Sequence, residues 1–333
     1  MRVKRLLFLT TSISLGLLFL VLPVTLLAQA NIEAEAEAEA GIISIPRTEG
    51  EGGMQTMESS RQLTRNAVLP AEPALMQELQ SADELLEAGK YDEAELAYQD
   101  IIATSESATG RNRNFAEAYN NLAVCYYRMG DYEAAAEHFQ LAIEKAEARK
   151  QENDNFELNY IAMGNLALLE FYLAAQKSHN PTESDRHLEA CKSWALKCIQ
   201  VRSTYARAFQ ALGLYAWKKS WSDNREDDRN YIDRVFNPAE ADTIIERFKN
   251  GIKFAENPRM KSDIMVNLGF VYIVLDRRDD AEEMAEQALE LDETNPYAYA
   301  LKGFFYQYFR IDNQMPEVEE LYERRSEEHT SEL

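Results

Sequence analysis

The stretch Ala116–Ala146, AEAYNNLAVCYYRMGDYEAAAEHFQLAIEKA, limits the possible folds more than any other part of the chain. Tyr119, Leu122, Ala123 and Tyr126 recur at the spacings of one helix face, and Ala135, Phe139 and Ala142 repeat the pattern after Gly130-Asp131. Two short amphipathic helices joined by a tight turn follow from that spacing. Small residues at Ala123 and Ala135 stand where two antiparallel helices must cross closely. A single pair of this kind cannot bury its apolar face alone, so the pattern predicts neighbours of the same kind stacked on either side.

Small residues in equivalent settings recur at Ala82, Ala123, Gly164, Gly213, Gly269 and Gly303, separated by 41, 41, 49, 56 and 34 residues. The combination of bulky residue, L-G or L-A, Tyr, Ala and Phe resembles the tetratricopeptide repeat, a 34-residue helix pair. The resemblance implies an all-α solenoid, a right-handed superhelix of antiparallel helix pairs with about six repeats. They lie near 75–104, 116–147, 157–201, 206–256, 262–292 and 296–324, within a solenoid spanning 73–324. Repeats two and five carry the pattern most fully, whereas the late Pro of the family is missing from most repeats. Extra residues fall at turns, chiefly in an insertion at 218–238. This insertion holds Trp221, Tyr231 and Phe236, which suit a segment folded back onto the array; a finger contacting a partner is the alternative.

The first 30 residues have the parts of a secretory signal: Arg2, Lys4 and Arg5, an apolar run from Leu6 to Leu27, and Ala28-Gln29-Ala30. Cleavage after Ala30 and export to a periplasmic or secreted location follow, with an uncleaved membrane anchor as the alternative. Residues 31–72, with the Glu-Ala run of Glu33–Ala40, read as a low-complexity disordered tether. At the other end, Arg325–Leu333, RSEEHTSEL, resembles a translated sequencing adapter and reads as a non-native tail, which would leave the true C-terminus beyond Arg324 unknown. The net charge is −22, and about −25 once three basic residues leave with the signal. That balance disfavours nucleic acid and anionic lipid as partners. Cys125, Cys191 and Cys198 form no CxxC and read as buried free thiols.

No nucleophile elbow, phosphate-cradling glycine loop or H-E-x-x-H occurs, and the four histidines are scattered. The reading is therefore non-enzymatic, with no cofactor, no catalytic residues and no metal. In the resembled family the first helices line a concave surface that binds extended segments. Carried onto this sequence, the partner-binding groove comprises Asn121, Tyr127, Arg128, Asn165, Arg207, Trp217, Asn267, Phe270, Tyr297 and Phe304. The family's carboxylate clamp is not reproduced as a set. An apolar or amphipathic segment of another envelope protein is the expected ligand, with Trp217, Phe270 and Phe304 as anchors; the alternative is that these aromatics are core. The function expected is a protein-interaction scaffold in the bacterial cell envelope. Two other readings stay open: a small-molecule or transport-associated binding protein with a pocket closed by the insertion, and a membrane-tethered assembly factor.

Overall fold

The computed structural model describes residues 73–108, 114–152, 158–224 and 233–309. The expected leader, tether and non-native tail lie outside the described residues. Eleven helices are described. The first is α1 (Pro73–Glu87), followed by α2 (Tyr91–Ser107), α3 (Ala116–Met129), α4 (Tyr132–Glu152), α5 (Tyr160–Gln176) and α6 (Pro181–Val201). After these come α7 (Ala206–Lys219), α8 (Ala241–Phe254), α9 (Pro258–Val274), α10 (Arg278–Leu291) and α11 (Pro296–Tyr308). Consecutive helices pack on one another throughout, and α1 touches α3, α5 touches α7 and α9 touches α11. Those contacts describe stacked helix pairs, with odd-numbered helices forming one layer and even-numbered helices the other. No helix among the described residues is long and apolar enough to cross a membrane.

Local sequence sets where each helix begins and ends. Gly130 takes φ +82° after α3 and donates its N–H back to Tyr126 and Tyr127, a left-handed cap that a residue with a β-carbon adopts only under strain. Asp131 then accepts from the N–H of Ala134 at 3.0 Å, starting α4 within one turn. An Asn-Pro pair opens α6, α9 and α11: Asn180, Asn257 and Asn295 each accept a backbone N–H in the first turn, and the following Pro has no N–H to satisfy. Asn159 caps α5 without a proline, accepting from Ala162 N–H at 2.9 Å.

The insertion between α7 and α8 adds the only strands among the described residues. Strand β1 (Trp221–Asn224) pairs antiparallel with β2 (Asp233–Phe236), with Trp221 opposite Phe236. Their rings lie 5.4 Å apart and stack on Trp217 of α7, at 5.4 Å from Trp221 and 5.3 Å from Phe236. The insertion thus folds back onto the array through its aromatics, while Tyr231 lies outside the described residues.

Small residues sit where helices cross. A β-carbon at Gly213 of α7 would stand 2.7–2.9 Å from three atoms of the Phe248 ring, which is fully buried on α8. At Gly269 of α9 it would collide with Leu301 of α11. Gly213→Ala is therefore expected to lower stability by about 1–3 kcal/mol through overpacking. Urea unfolding should show that loss as a lower midpoint at unchanged slope; a midpoint equal to wild type would mean the crossing is looser than described.

Candidate functional site

The first helices α3, α5, α7, α9 and α11 hold every residue of the predicted groove. Three of these helices are buried to an unusual degree. All fifteen positions from Ile161 to Ala175 of α5 are buried, as are Ser262 to Ile273 of α9 and Ala116 to Cys125 of α3. Polar side chains on such helices must find partners, because an unsatisfied buried donor or acceptor costs about 1–3 kcal/mol.

In the N-terminal half they find one another. Asn165 of α5 donates to Asn120 Oδ1 at 3.3 Å, Asn120 donates to Asn121 Oδ1 at 3.0 Å, and Asn121 donates to Asp83 Oδ1 of α1 at 2.7 Å. Tyr98 of α2 donates its hydroxyl to the same Asp83 oxygen at 2.6 Å. Burial and the Asp83 charge together push the Tyr98 phenol well above its ordinary value, so it stays a donor. One relay of side chains therefore links the first three helix pairs. Glu117 of α3 meets Arg149 of α4 at 3.1 Å, a buried ion pair inside the second repeat. Arg128 donates to the Leu86 carbonyl at 3.2 Å and to Glu87 at 2.9 Å, so it closes the C-terminal end of α1. Asn121, Asn165 and Arg128 thus serve contacts between repeats.

Farther along, aromatic and charged groups converge from distant repeats. Tyr127 of α3 is buried beside Tyr132, whose ring lies 5.7 Å away, and Tyr132 approaches Tyr172 of α5 at 4.7 Å. The Tyr127 phenol is held well above its ordinary value, first by burial and then by neighbours that include Tyr172 and Tyr297, with Arg207 opposing. Residues from α3, α5, α7 and α11 thus share one electrostatic neighbourhood, although Tyr127 and Tyr297 are 170 positions apart. The first-helix layer curls inward. Phe270 and Phe304 meet at 5.9 Å at its C-terminal end, whereas Trp217 is covered by the hairpin.

Buried polar groups also stand between α7 and α9. Asp263 Oδ1 accepts from Asn295 at 3.0 Å, but Asp263 Oδ2 and Gln210 Oε1 are buried without a hydrogen bond. Asn267 is buried one helical turn beyond Asp263. Burial pushes the Asp263 carboxyl up to about 8, with Asp292 adding to the rise and Arg207, Asn295 and Arg259 opposing it. Asp83 and Asp263 are absent from the predicted groove. The available signal was an acid standing inside an otherwise small or apolar helix face, one residue after Ala82 and six before Gly269.

A tetratricopeptide-repeat family profile matches residues 76–148, and a second tetratricopeptide-repeat profile matches residues 262–291. These two stretches are tetratricopeptide repeats. The solenoid is similar to a thermophilic tetratricopeptide-repeat protein of Thermus thermophilus, at 16% identity and TM-score 0.49 over 71% of this chain and 100% of that one. A tetratricopeptide-repeat protein from Parabacteroides merdae gives 15% identity and TM-score 0.45 over 81% and 90% of the two chains. No curated relative matches the sequence. The two profiles fall on α1–α4 and on α9–α10, the helix pairs in which the pattern is least interrupted.

The Asp263 environment has a definite pH consequence. Its folded-state pKa of about 8 lies above the ordinary 3.8, so the folded protein holds a proton that the unfolded chain has released between those values. Stability from this group is complete below about pH 4 and falls as pH rises toward about 8. Asp263→Asn keeps the shape and removes the titration. Its thermal midpoint should exceed that of wild type by more at pH 8 than at pH 5, and a difference independent of pH would refute this account.

Proposed function

We propose that the protein is a non-catalytic scaffold of the bacterial cell envelope that holds a segment of a partner protein along its first-helix face. The observation that carries this reading is the face itself. Asn267, Gln210, Asp263, Phe270, Phe304 and Tyr297 bring amide, carboxyl and aromatic groups to one curved layer between the fourth and sixth helix pairs. Such a layer suits an extended or amphipathic chain: amides pair with its backbone and aromatic rings take its apolar side chains. The tetratricopeptide-repeat assignment supports binding of this kind. Export rests on the three-part leader and on the small residues at Ala28 and Ala30. Packing of Trp221 and Phe236 directly on Trp217 favours the open-face reading over a pocket roofed by the insertion.

Capture from native envelope extract tests the reading. The bait is the full chain, set beside a Tyr297→Ala/Phe304→Ala version and a version carrying Leu96→Ser and Leu196→Ser. The first pair is half-buried on the inner layer, whereas Leu96 and Leu196 are exposed on α2 and α6 of the outer layer. With helicity matched by circular dichroism, a partner retained by the outer variant and weakened at least tenfold by the inner one is expected. The reverse pattern would move binding to the outer layer. N-terminal sequencing of the mature protein should begin at Asn31; a chain that retains residues 1–30 would overturn signal cleavage.

A further inference from the structure

Charge is unevenly spread over the outer layer of second helices. Ala190–Ser222 holds six cations and no acid, in a chain of net charge −22. Within α6 this stretch forms an exposed stripe at Ser193, Leu196, Lys197, Gln200 and Val201, with Arg202 exposed at its end. Leu196 is 42% exposed and Val201 36%, two of the four large apolar side chains exposed among the described residues. The Lys197 ammonium stacks on Trp194 at 4.1 Å, and Arg202 lies 5.7 Å from the Tyr160 ring. Neither has a carboxylate partner among the described residues, whereas Lys192 and Lys219 on the same two helices do. On α8 the exposed stripe turns from Asp242 and Glu246 to Lys249 and Lys253 at the corresponding end. Both α6 and α8 pack on α7, so their basic halves belong to one edge of the array.

What flanks this face limits what can cover it. On one side α4 exposes Glu133, Glu137, Glu144 and Glu147, and on the other α10 exposes Asp279, Glu283, Glu286 and Glu290. A membrane surface or a long polyanion would meet those carboxylates as well as the cations, so a fitting occupant is narrow, about one helix wide. It must bring apolar side chains to Leu196 and Val201 and acids to Lys197 and Arg202. The chain itself carries such a helix. Leu96 of α2 is 64% exposed, the most exposed of the four, and Asp92, Glu93, Gln99 and Asp100 stand exposed one turn before and after it. We propose that α2 of one molecule docks antiparallel on α6 of a second copy, joining molecules head to tail.

The spacing of the two stripes fits. Both helices rise about 1.5 Å per residue, so Leu96 set level with Ile199 falls between Leu196 and Val201. Glu93 is then level with Arg202, and Asp100 comes within reach of Lys197. Of these four charges only Glu93 has an ion-pair partner among the described residues: Lys90 at 3.6 Å, with both side chains more than half exposed, a contact worth little. Different patches of the two copies meet, so the interface is heterologous and repeats from one molecule to the next. One helix laid on another buries less than about 1,200 Å², which makes the association weak and concentration-dependent. At physiological ionic strength the screening length is about 8 Å, so repulsion among the remaining acids is damped while charges in contact still act.

Sedimentation velocity of the full chain, from micromolar to millimolar protein, tests the proposal. The wild-type sedimentation coefficient should rise with concentration; a constant monomer value would overturn self-docking. Two charge-reversed chains follow, Lys197→Glu/Arg202→Glu and Glu93→Lys/Asp100→Lys, all at exposed positions. Each alone should stay monomeric, because its α2 and α6 then carry the same sign. An equimolar mixture should associate at least tenfold more tightly than either variant, which also shows that both are folded. Association of either variant alone at the wild-type level, or a mixture that stays monomeric, would overturn the pairing. Register is read by mild oxidation of a mixture of Leu96→Cys and Gln200→Cys chains, since the three native cysteines are buried. Disulfide-linked heterodimers are expected to dominate, and homodimers of either chain in equal yield would overturn the antiparallel register.

Discussion

Close crossing of helices without side chains in the way is the constraint from which the rest of this molecule follows. Where Gly213 lets the Phe248 ring lie against the backbone of α7, and Gly269 does the same for Leu301, helices approach closely enough to bury their partners almost completely. Dense packing then places a demand on every polar group inside the first-helix layer. Asparagine and aspartate on such a helix have no water to fall back on, so their hydrogen bonds come from neighbouring repeats. The relay from Asn165 through Asn120 and Asn121 to Asp83 is the result: geometry at the small residues creates the burial, and burial makes the polar relay necessary.

The same dependence runs along the whole array. In the first three pairs buried polar groups meet one another, with Asp83 accepting from both Asn121 and Tyr98 and with Glu117 against Arg149. Those groups specify how one repeat sits on the next. From α7 onward, Asp263 gives one oxygen to the cap of α11 and leaves the other, like Gln210 Oε1, without a hydrogen bond. The carboxyl responds by holding its proton more tightly. An interior that carries such groups is less stable than one that does not.

Much of the fold was legible because each repeat writes the same demand into its sequence. A small residue with bulky residues a turn away on either side marked all six first helices, and the aromatics of the insertion correctly signalled its return to the array. The hairpin itself was not legible. Its strands are four residues long and too short for alternation to show. Asp83 was missed for a different reason, since its role depends on Asn121, 38 residues later, and no local pattern records that partnership. Arg128 shows the converse limit: its register placed it near the groove, while the Leu86 carbonyl at the end of α1, which also accepts from Gly89 N–H, drew it into a capping role.

Dense packing also bears on how an array with so many aromatic residues on its first helices can remain soluble. An inner layer bearing Phe270, Phe304 and Tyr308, if open to water, would present a contiguous apolar surface of the kind that drives association. Net charge of −22 opposes association from outside but does nothing to wet the aromatic rings themselves. Burial among neighbouring helices meets that need: Phe270 is 4% exposed, and its ring lies against Phe304 rather than water.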